Sequence, residues 1–246
     1  MISRKPELRG GFDHVEAWVF DLDNTLYSPS CRLFDQIDTR MGEFISALLK
    51  VDKVEARRIQ KSFFHEHGTT LRGLMTVYGI EPFSFLDFVH DIDHSPVAAC
   101  PELALALQKL PGRKLVFTNG TSHHAEKVLD RLGIRDQVDE VFDIVHCDFI
   151  PKPQREPYLK FVQRTGIAPQ RTAMFEDIAR NLEPPYELGM TTVLVQSHEN
   201  LDGNLINATL GDPLQSPFVD HVTEDLTAFL GGIAASLSSA SGTSAP

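Results

Sequence analysis

Asp21 and Asp23 stand two residues apart at the end of the run Glu16-Ala-Trp-Val-Phe20. Two carboxylates brought that close repel each other unless a cation or a shared proton offsets the cost. A second acidic pair, Glu176-Asp177, follows the run Thr172–Phe175. Thr118-Asn119-Gly120 follows Lys114–Phe117, and Lys152 is held between Pro151 and Pro153. Carboxylates with one lysine and one threonine suit a divalent metal and a phosphate. Mg²⁺ takes carboxylate, water and phosphate oxygens, and the lysine and hydroxyl can hold the remaining phosphate oxygens. A lone acidic pair is common in loops. The weight comes from several such groups, each just past an apolar run or in the loop beyond one.

For these residues to meet, the runs before them must be neighbouring strands, because parallel strands present their C-terminal ends on one edge. Glu16–Phe20, Lys114–Phe117, Glu140–Val145, Thr172–Phe175 and Thr191–Val195 are short and rich in strand formers. Helical spacing marks Pro101–Leu110, Ser122–Leu132, Pro157–Thr165 and a helix closing at Leu188-Gly189. Pro184 and Pro185 fit only a first turn, so that last helix must open near them. The alternation predicts an α/β fold, a doubly wound and mostly parallel Rossmann-type sheet covered on both faces.

A block of about 65–70 residues after the first strand shows only helical periodicity, too long for a plain loop. Phe34, Ile37, Met41, Phe44, Ile45, Leu48 and Leu49 mark one helix, and Val54, Ile59 and Phe63 a second. Leu71, Leu74, Met75 and Tyr78 mark a third, closed by Gly79, and Phe83–Val89 a fourth. The expected organisation is a discontinuous core of residues 1–27 and 97–230, with a small all-helical cap over 28–96. The Gly/Ala/Ser-rich tail, 231–246, is expected to lack order.

Composition narrows the function further. The chain has 246 residues, 42% of them hydrophobic, with 23 Lys+Arg against 34 Asp+Glu and a net charge of −11. Such an acidic balance argues against a nucleic-acid polymer or an anionic membrane surface as partner. No run of 18 apolar residues is present, and Met1–His14 holds no apolar stretch of the kind a secretory leader needs. Cys31, Cys100 and Cys147 form no CxxC pair and are expected to be reduced thiols in a cytoplasmic enzyme.

In order, FDLDNTLY, FTNG, PKP and FEDIARN resemble the four motifs of the haloacid dehalogenase (HAD) superfamily of phosphotransferases. The helical block resembles that superfamily's small cap. Within it, FDLDNTLY, YGIEP, FTNGTSHHA and NLEPPYELGM are similar to the pyrimidine 5′-nucleotidase group, and the match runs from about Trp18 to Val195.

The resemblance implies a role for each residue. Asp21 would be the nucleophile that forms an aspartyl-phosphate, and Asp23 the general acid and then base. Thr118 and the Asn119 backbone, with Gly120 beside them, would bind phosphoryl oxygens, and Lys152 would stabilise the shared charge. Mg²⁺ would be held by the Asp21 side chain, the Asp23 carbonyl and Asp177, with Glu176 direct or through water. Asn181 would anchor the metal loop, or instead cap the helix after it. The dehalogenases that name the superfamily lack the second aspartate, so Asp23 points to phosphoryl transfer.

The expected substrate is a small phosphate monoester, first a pyrimidine nucleoside 5′-monophosphate such as UMP or CMP. Another ester such as a sugar phosphate, a phosphomutase, and a non-enzymatic scaffold are the competing readings. In the cap, His65, Arg72 and Tyr78 are the candidates for touching a base or sugar. Arg32 to Arg72 holds eight Lys/Arg against six Asp/Glu, a positive lid or else ordinary charge pairs along helices. His65 and His67 form an HxH, and His123-His124 are adjacent, but neither lies in a zinc framework. His123 and His124 are taken to line the first turn of their helix rather than to act in catalysis.

Overall fold

The computed structural model describes residues 11–197 and 216–242; residues 1–10, 198–215 and the end of the tail, 243–246, lie outside the described residues. Six strands form one sheet: β1 (Ala17–Phe20), β2 (Arg113–Phe117), β3 (Glu140–Phe142), β4 (Thr172–Glu176), β5 (Thr191–Val195) and β6 (His221–Thr223). Their order is β3-β2-β1-β4-β5-β6, and every pairing is parallel. The strand order reverses at β1, which leaves a crevice at the carboxyl ends of β1 and β4. Register fixes the levels there, because Phe20 pairs with Val116 on one side and Phe175 on the other.

Both sheet faces are covered, which is why the central strands read as unbroken apolar runs. Trp18, Phe20, Val116 and Phe175 enter one buried cluster. Val19, Leu115, Phe117 and Met174 enter the opposite one, as period-two alternation requires. Helices α5 (Pro101–Lys109), α6 (Ser122–Leu132), α7 (Arg155–Thr165) and α8 (Glu183–Leu188) connect the strands, and α8 opens on its two prolines.

Between β1 and α5 lie four helices: α1 (Leu33–Leu49), α2 (Lys53–His67), α3 (Thr70–Tyr78) and α4 (Pro82–His90). Asp52 and Thr69 cap α2 and α3 through their side chains, and Gly79 closes α3 with φ +63°. Ile37, Ile45, Phe63, Leu71, Leu74 and Phe85 form an apolar cluster of this insertion, joined by Ile144 from beyond β3. Gly73 lets α3 lie against Phe63, since a Cβ there would come within 2.4 Å of the Phe63 side chain.

Two segments depart from the sequence expectation. The third strand ends at Phe142 rather than Val145, because the Asp143 carboxylate accepts from the backbone N–H groups of Ser122, Val145 and His146 and turns the chain. Of the tail expected to lack order, the described residues 231–242 are helical: α9 runs from Leu226 to Gly242. Leu226, Leu230, Ile233 and Ala234 are buried in the larger sheet cluster, so the small residues pack a helix rather than freeing the chain. No helix among the described residues is long and apolar enough to cross a membrane.

Candidate active site

Asp21 continues β1 past its end. Its N–H donates to the Phe175 carbonyl at 2.9 Å, one step along the ladder, so its side chain emerges level with Phe117 and Glu176. The Thr25 hydroxyl donates to Oδ2 at 3.1 Å. Asn24 takes φ +62°, a conformation Asn tolerates, and there the chain turns after Asp23.

Lys152 is buried, and its ammonium donates in three directions: Asp21 Oδ1 at 2.7 Å, Glu176 Oε1 at 2.7 Å and the Phe117 carbonyl at 2.9 Å. All three donors of the ammonium are therefore engaged. Burial works against the charge of Lys152, but the two carboxylates outweigh it and raise its pKa. Glu176 also accepts from Asn181 Nδ2 at 2.7 Å and, through Oε2, from the Ile178 N–H at 2.9 Å. Burial pushes the Asp21 carboxyl up to about 7; Lys152 pulls it down and Glu176 pushes it further up. The Lys152 backbone is clamped by Asn119, whose Oδ1 accepts from its N–H at 2.9 Å and whose Nδ2 donates to its carbonyl at 3.4 Å. Thr118 is buried and its Oγ1 accepts from the Gly120 N–H at 2.9 Å.

Asp23 is held from the other side. The Tyr27 hydroxyl donates to Oδ1 at 2.7 Å, and His124 Nε2 lies 2.9 Å from the same oxygen. His124 Nδ1 is 3.0 Å from His94 Nε2, and His94 Nδ1 is 3.1 Å from the Ile92 carbonyl. His90 stacks flat on His124 at 4.7 Å between ring centres. The Ile92 carbonyl only accepts, so His94 Nδ1 carries a hydrogen. Burial works against the charge on Asp23, and His124 and Tyr27 outweigh it to lower the pKa.

This geometry can be set beside known proteins. Residues 15–184 match the haloacid dehalogenase-like hydrolase family. The chain belongs to that family. Phosphate metabolism protein 8 of Saccharomyces cerevisiae is 26% identical over 214 residues, 78% of this chain and 65% of that protein; the chain thus spans just under two thirds of its curated relative. A HAD phosphatase from Thermococcus onnurineus superposes with a TM-score of 0.57 at 18% identity, covering 89% of this chain and 99% of that one. The L-2-haloacid dehalogenase of Xanthobacter autotrophicus superposes with a TM-score of 0.53 at 17% identity, covering 92% and 99%. At such identities the likeness is one of fold.

In this HAD-like hydrolase a cavity of about 980 Å³ joins the strand ends to the helical insertion. Asp21, Asp23, Thr118, Asn119, Gly120, Lys152, Glu176, Asp177 and Asn181 all line it. Asp21, Glu176 and Asp177 offer oxygens within 4.8 Å of one another. Carboxylates brought that close repel one another, and a hard divalent cation takes such oxygen ligands. The donors are all oxygen, so the set fits such an ion.

Of the insertion residues, His65 lines the cavity, but Arg72 and Tyr78 do not. Arg72 follows Leu71 by one residue, a rotation of about 100° away from the wall. Tyr78 is seven residues further, about 10 Å along α3; it is 47% exposed and its ring meets Phe63 edge-on. Much of the positive charge in the segment is paired: Arg32 with Asp35, Arg58 with Glu55, and Arg57 and Lys61 with Asp38. Asn181 bonds Glu176 and gives no side-chain cap to α8. His124, expected only to line the first turn of its helix, is the residue whose ring reaches Asp23. The only trace in the sequence was its place in the first turn after FTNGT, where Thr121 caps α6.

Proposed function

We propose that this hydrolase is a phosphomonoesterase working through an aspartyl-phosphate, with a pyrimidine nucleoside 5′-monophosphate as its first-choice substrate. The observation that carries the reading is the pairing of two differently held carboxyls at one strand end. Asp21 is buried against Lys152, while Asp23 is fixed through Oδ1 alone and takes no hydrogen bond on Oδ2 among the described residues. The carboxyl held by the Lys152 ammonium is read as the nucleophile, and the one with an open oxygen as the carrier of the proton.

In this reading Asp21 attacks phosphorus and forms an acyl phosphate as the P–O bond to the leaving group breaks. Asp23 gives a proton to the departing oxygen, then accepts one from the water that hydrolyses the acyl phosphate. The Thr118 hydroxyl, whose oxygen already accepts from Gly120, donates its hydrogen to a phosphoryl oxygen, and the Asn119 N–H donates to another. Lys152 holds Asp21 in place and spreads its charge. Asp21, Asp177 and the Asp23 carbonyl would hold Mg²⁺, which when bound offsets repulsion between phosphoryl group and carboxylates. Glu176, its oxygens already accepting three hydrogen bonds, fixes Lys152 and the loop rather than the ion.

Helices α1–α4, residues 28–96, are read as a lid over the core of 1–27 and 97–230, keeping bulk water from the acyl phosphate. The cavity has room for a leaving group the size of a nucleoside. With no disulfide among Cys31, Cys100 and Cys147, a reducing cytoplasmic setting accompanies the reading.

The test is phosphate release from UMP, CMP and a set of sugar phosphates, with Mg²⁺ and with chelator. Release that needs Mg²⁺ and vanishes in Asp21→Asn is expected. No release from any ester, or undiminished release by Asp21→Asn, would refute the reading. Preference for sugar phosphates would move the substrate, and isomer interconversion without release would make the enzyme a mutase.

A further inference from the structure

We propose that His124 is a positioning residue for Asp23, aiming its carboxyl at the leaving oxygen while His94 and His90 hold the imidazole in place. The proposal rests on the phosphomonoesterase reading above. A carboxyl can turn about its last torsion and exchange its two oxygens unless something distinguishes them. Here both donors, Tyr27 and His124, converge on Oδ1, which leaves Oδ2 as the oxygen presented to substrate. Tyr27 lies four residues from Asp23 and moves with the same loop. His124 lies 101 residues away, at the start of α6 beneath the strand ends, and so supplies the fixed reference.

The His124 ring is itself pinned on every polar edge. It has no exposed surface; its Nδ1 meets His94, and its face meets His90 at an interplanar angle of 8°. His90 Nδ1 lies 3.2 Å from the Thr121 hydroxyl, the group that caps α6. His90 ends α4 and His94 follows in the strand-ward return from the insertion. The ring that orients Asp23 therefore rests on two residues that arrive with the lid. A histidine that merely filled space would need none of this convergence.

The test separates aim from packing by the leaving group. The 5′-alkoxide of UMP must be protonated as it departs, whereas p-nitrophenolate leaves without a proton. The quantity compared is kcat/KM, which covers steps only up to departure of the first leaving group and excludes hydrolysis of the acyl phosphate. His124→Phe keeps the volume and loses the donor; His124→Gln keeps an N–H. With Mg²⁺ present, His124→Phe should lose about 30-fold or more on UMP and less than about 3-fold on p-nitrophenyl phosphate, within the range general acid catalysis spans. His124→Gln should recover most of the UMP loss. Equal losses on both esters, or no loss on UMP, would leave His124 a packing residue and overturn the proposal. If His124→Phe fails to fold by circular dichroism, His94→Gln carries the test. It leaves the Asp23 contact in place and should show the same split more weakly, and no split there overturns the proposal. Wild-type protein inactive on both esters would instead bring down the phosphatase reading, and this proposal with it.

Discussion

Lys152 Nζ and Asp21 Oδ1 lie 2.7 Å apart, buried, across 131 residues of chain. Neither is stable there alone: a buried ion without its partner costs far more than the pair contributes. Lys152→Met should therefore lose about 3–5 kcal/mol of stability by urea unfolding, since Asp21 and Glu176 are both left uncompensated. Adding Glu176→Gln to Lys152→Met should return part of that loss. A double variant that is simply additive would show that Glu176 does not share the ammonium.

The excess acid around that ammonium leads to a second expectation. Mg²⁺ at about 100 times its Kd should stabilise the wild type by about 2.7 kcal/mol. Asp177→Asn, which removes one of the three clustered carboxylates, should abolish most of the rise in Tm and of the activity. Equal Mg²⁺ stabilisation of both proteins would place the ion elsewhere.

Two buried groups give stability opposite dependences on pH. The Asp21 carboxyl is pushed up to about 7 from 3.8, so its contribution is fully present below 3.8 and lost as pH rises through about 7. Burial, with His124 beside it, pushes His90 down to about 3 from 6.5, so its contribution is present above 6.5 and lost as pH falls toward 3. Between 3.8 and 6.5 the two oppose. In chelator, urea unfolding at pH 5 and 6.5 should show Asp21→Asn losing more stability on acidification than the wild type, by up to about 1.4 kcal/mol per pH unit. His90→Gln should lose less. Identical slopes in all three proteins would contradict both assignments.

Asn119 clamps the Lys152 backbone with two hydrogen bonds. Asn119→Ala should cost about 1–2 kcal/mol of stability by urea unfolding. It should also reduce kcat more than KM, because the loop that presents Lys152 loosens. An unchanged kcat would mean that the two prolines hold the loop without Asn119.

Leu230 is fully buried on α9. Leu230→Ala should cost about 2–5 kcal/mol in urea unfolding, the range for cavity-creating changes in a packed core. The same change at Ile233, buried on α9 within the stretch expected to lack order, should cost a comparable amount, whereas a tail without order would give a change near zero there.

Asp21, Thr118, Lys152, Glu176 and Asp177 were legible in the sequence for a local reason. Four of them end or directly follow an apolar run buried on both faces, and parallel pairing carries the ends of such runs to one edge whatever lies between. Lys152, in the loop beyond the third run, was legible from its flanking prolines. The helical periodicity after β1 was equally local, and so was the opening of α8 on Pro184 and Pro185. What period and spacing could not supply is the partner of each exposed or half-exposed face. α3 shows which side is apolar, but only packing decides that Leu71 and not Arg72 or Tyr78 faces the cavity. The glycines and serines of α9 favour a helix only weakly, and burial of Leu226, Leu230 and Ile233 against the sheet cluster makes the helix. His124 is the sharpest case. Its identity as a ring in the first turn of α6 was visible, whereas its contact with Asp23 depends on the meeting of β1, α6 and the return from α4. Sequence by itself determined which polar groups meet at the strand ends, because their order along each strand is local; tertiary structure alone decided which side chains hold them, because those contacts span the chain.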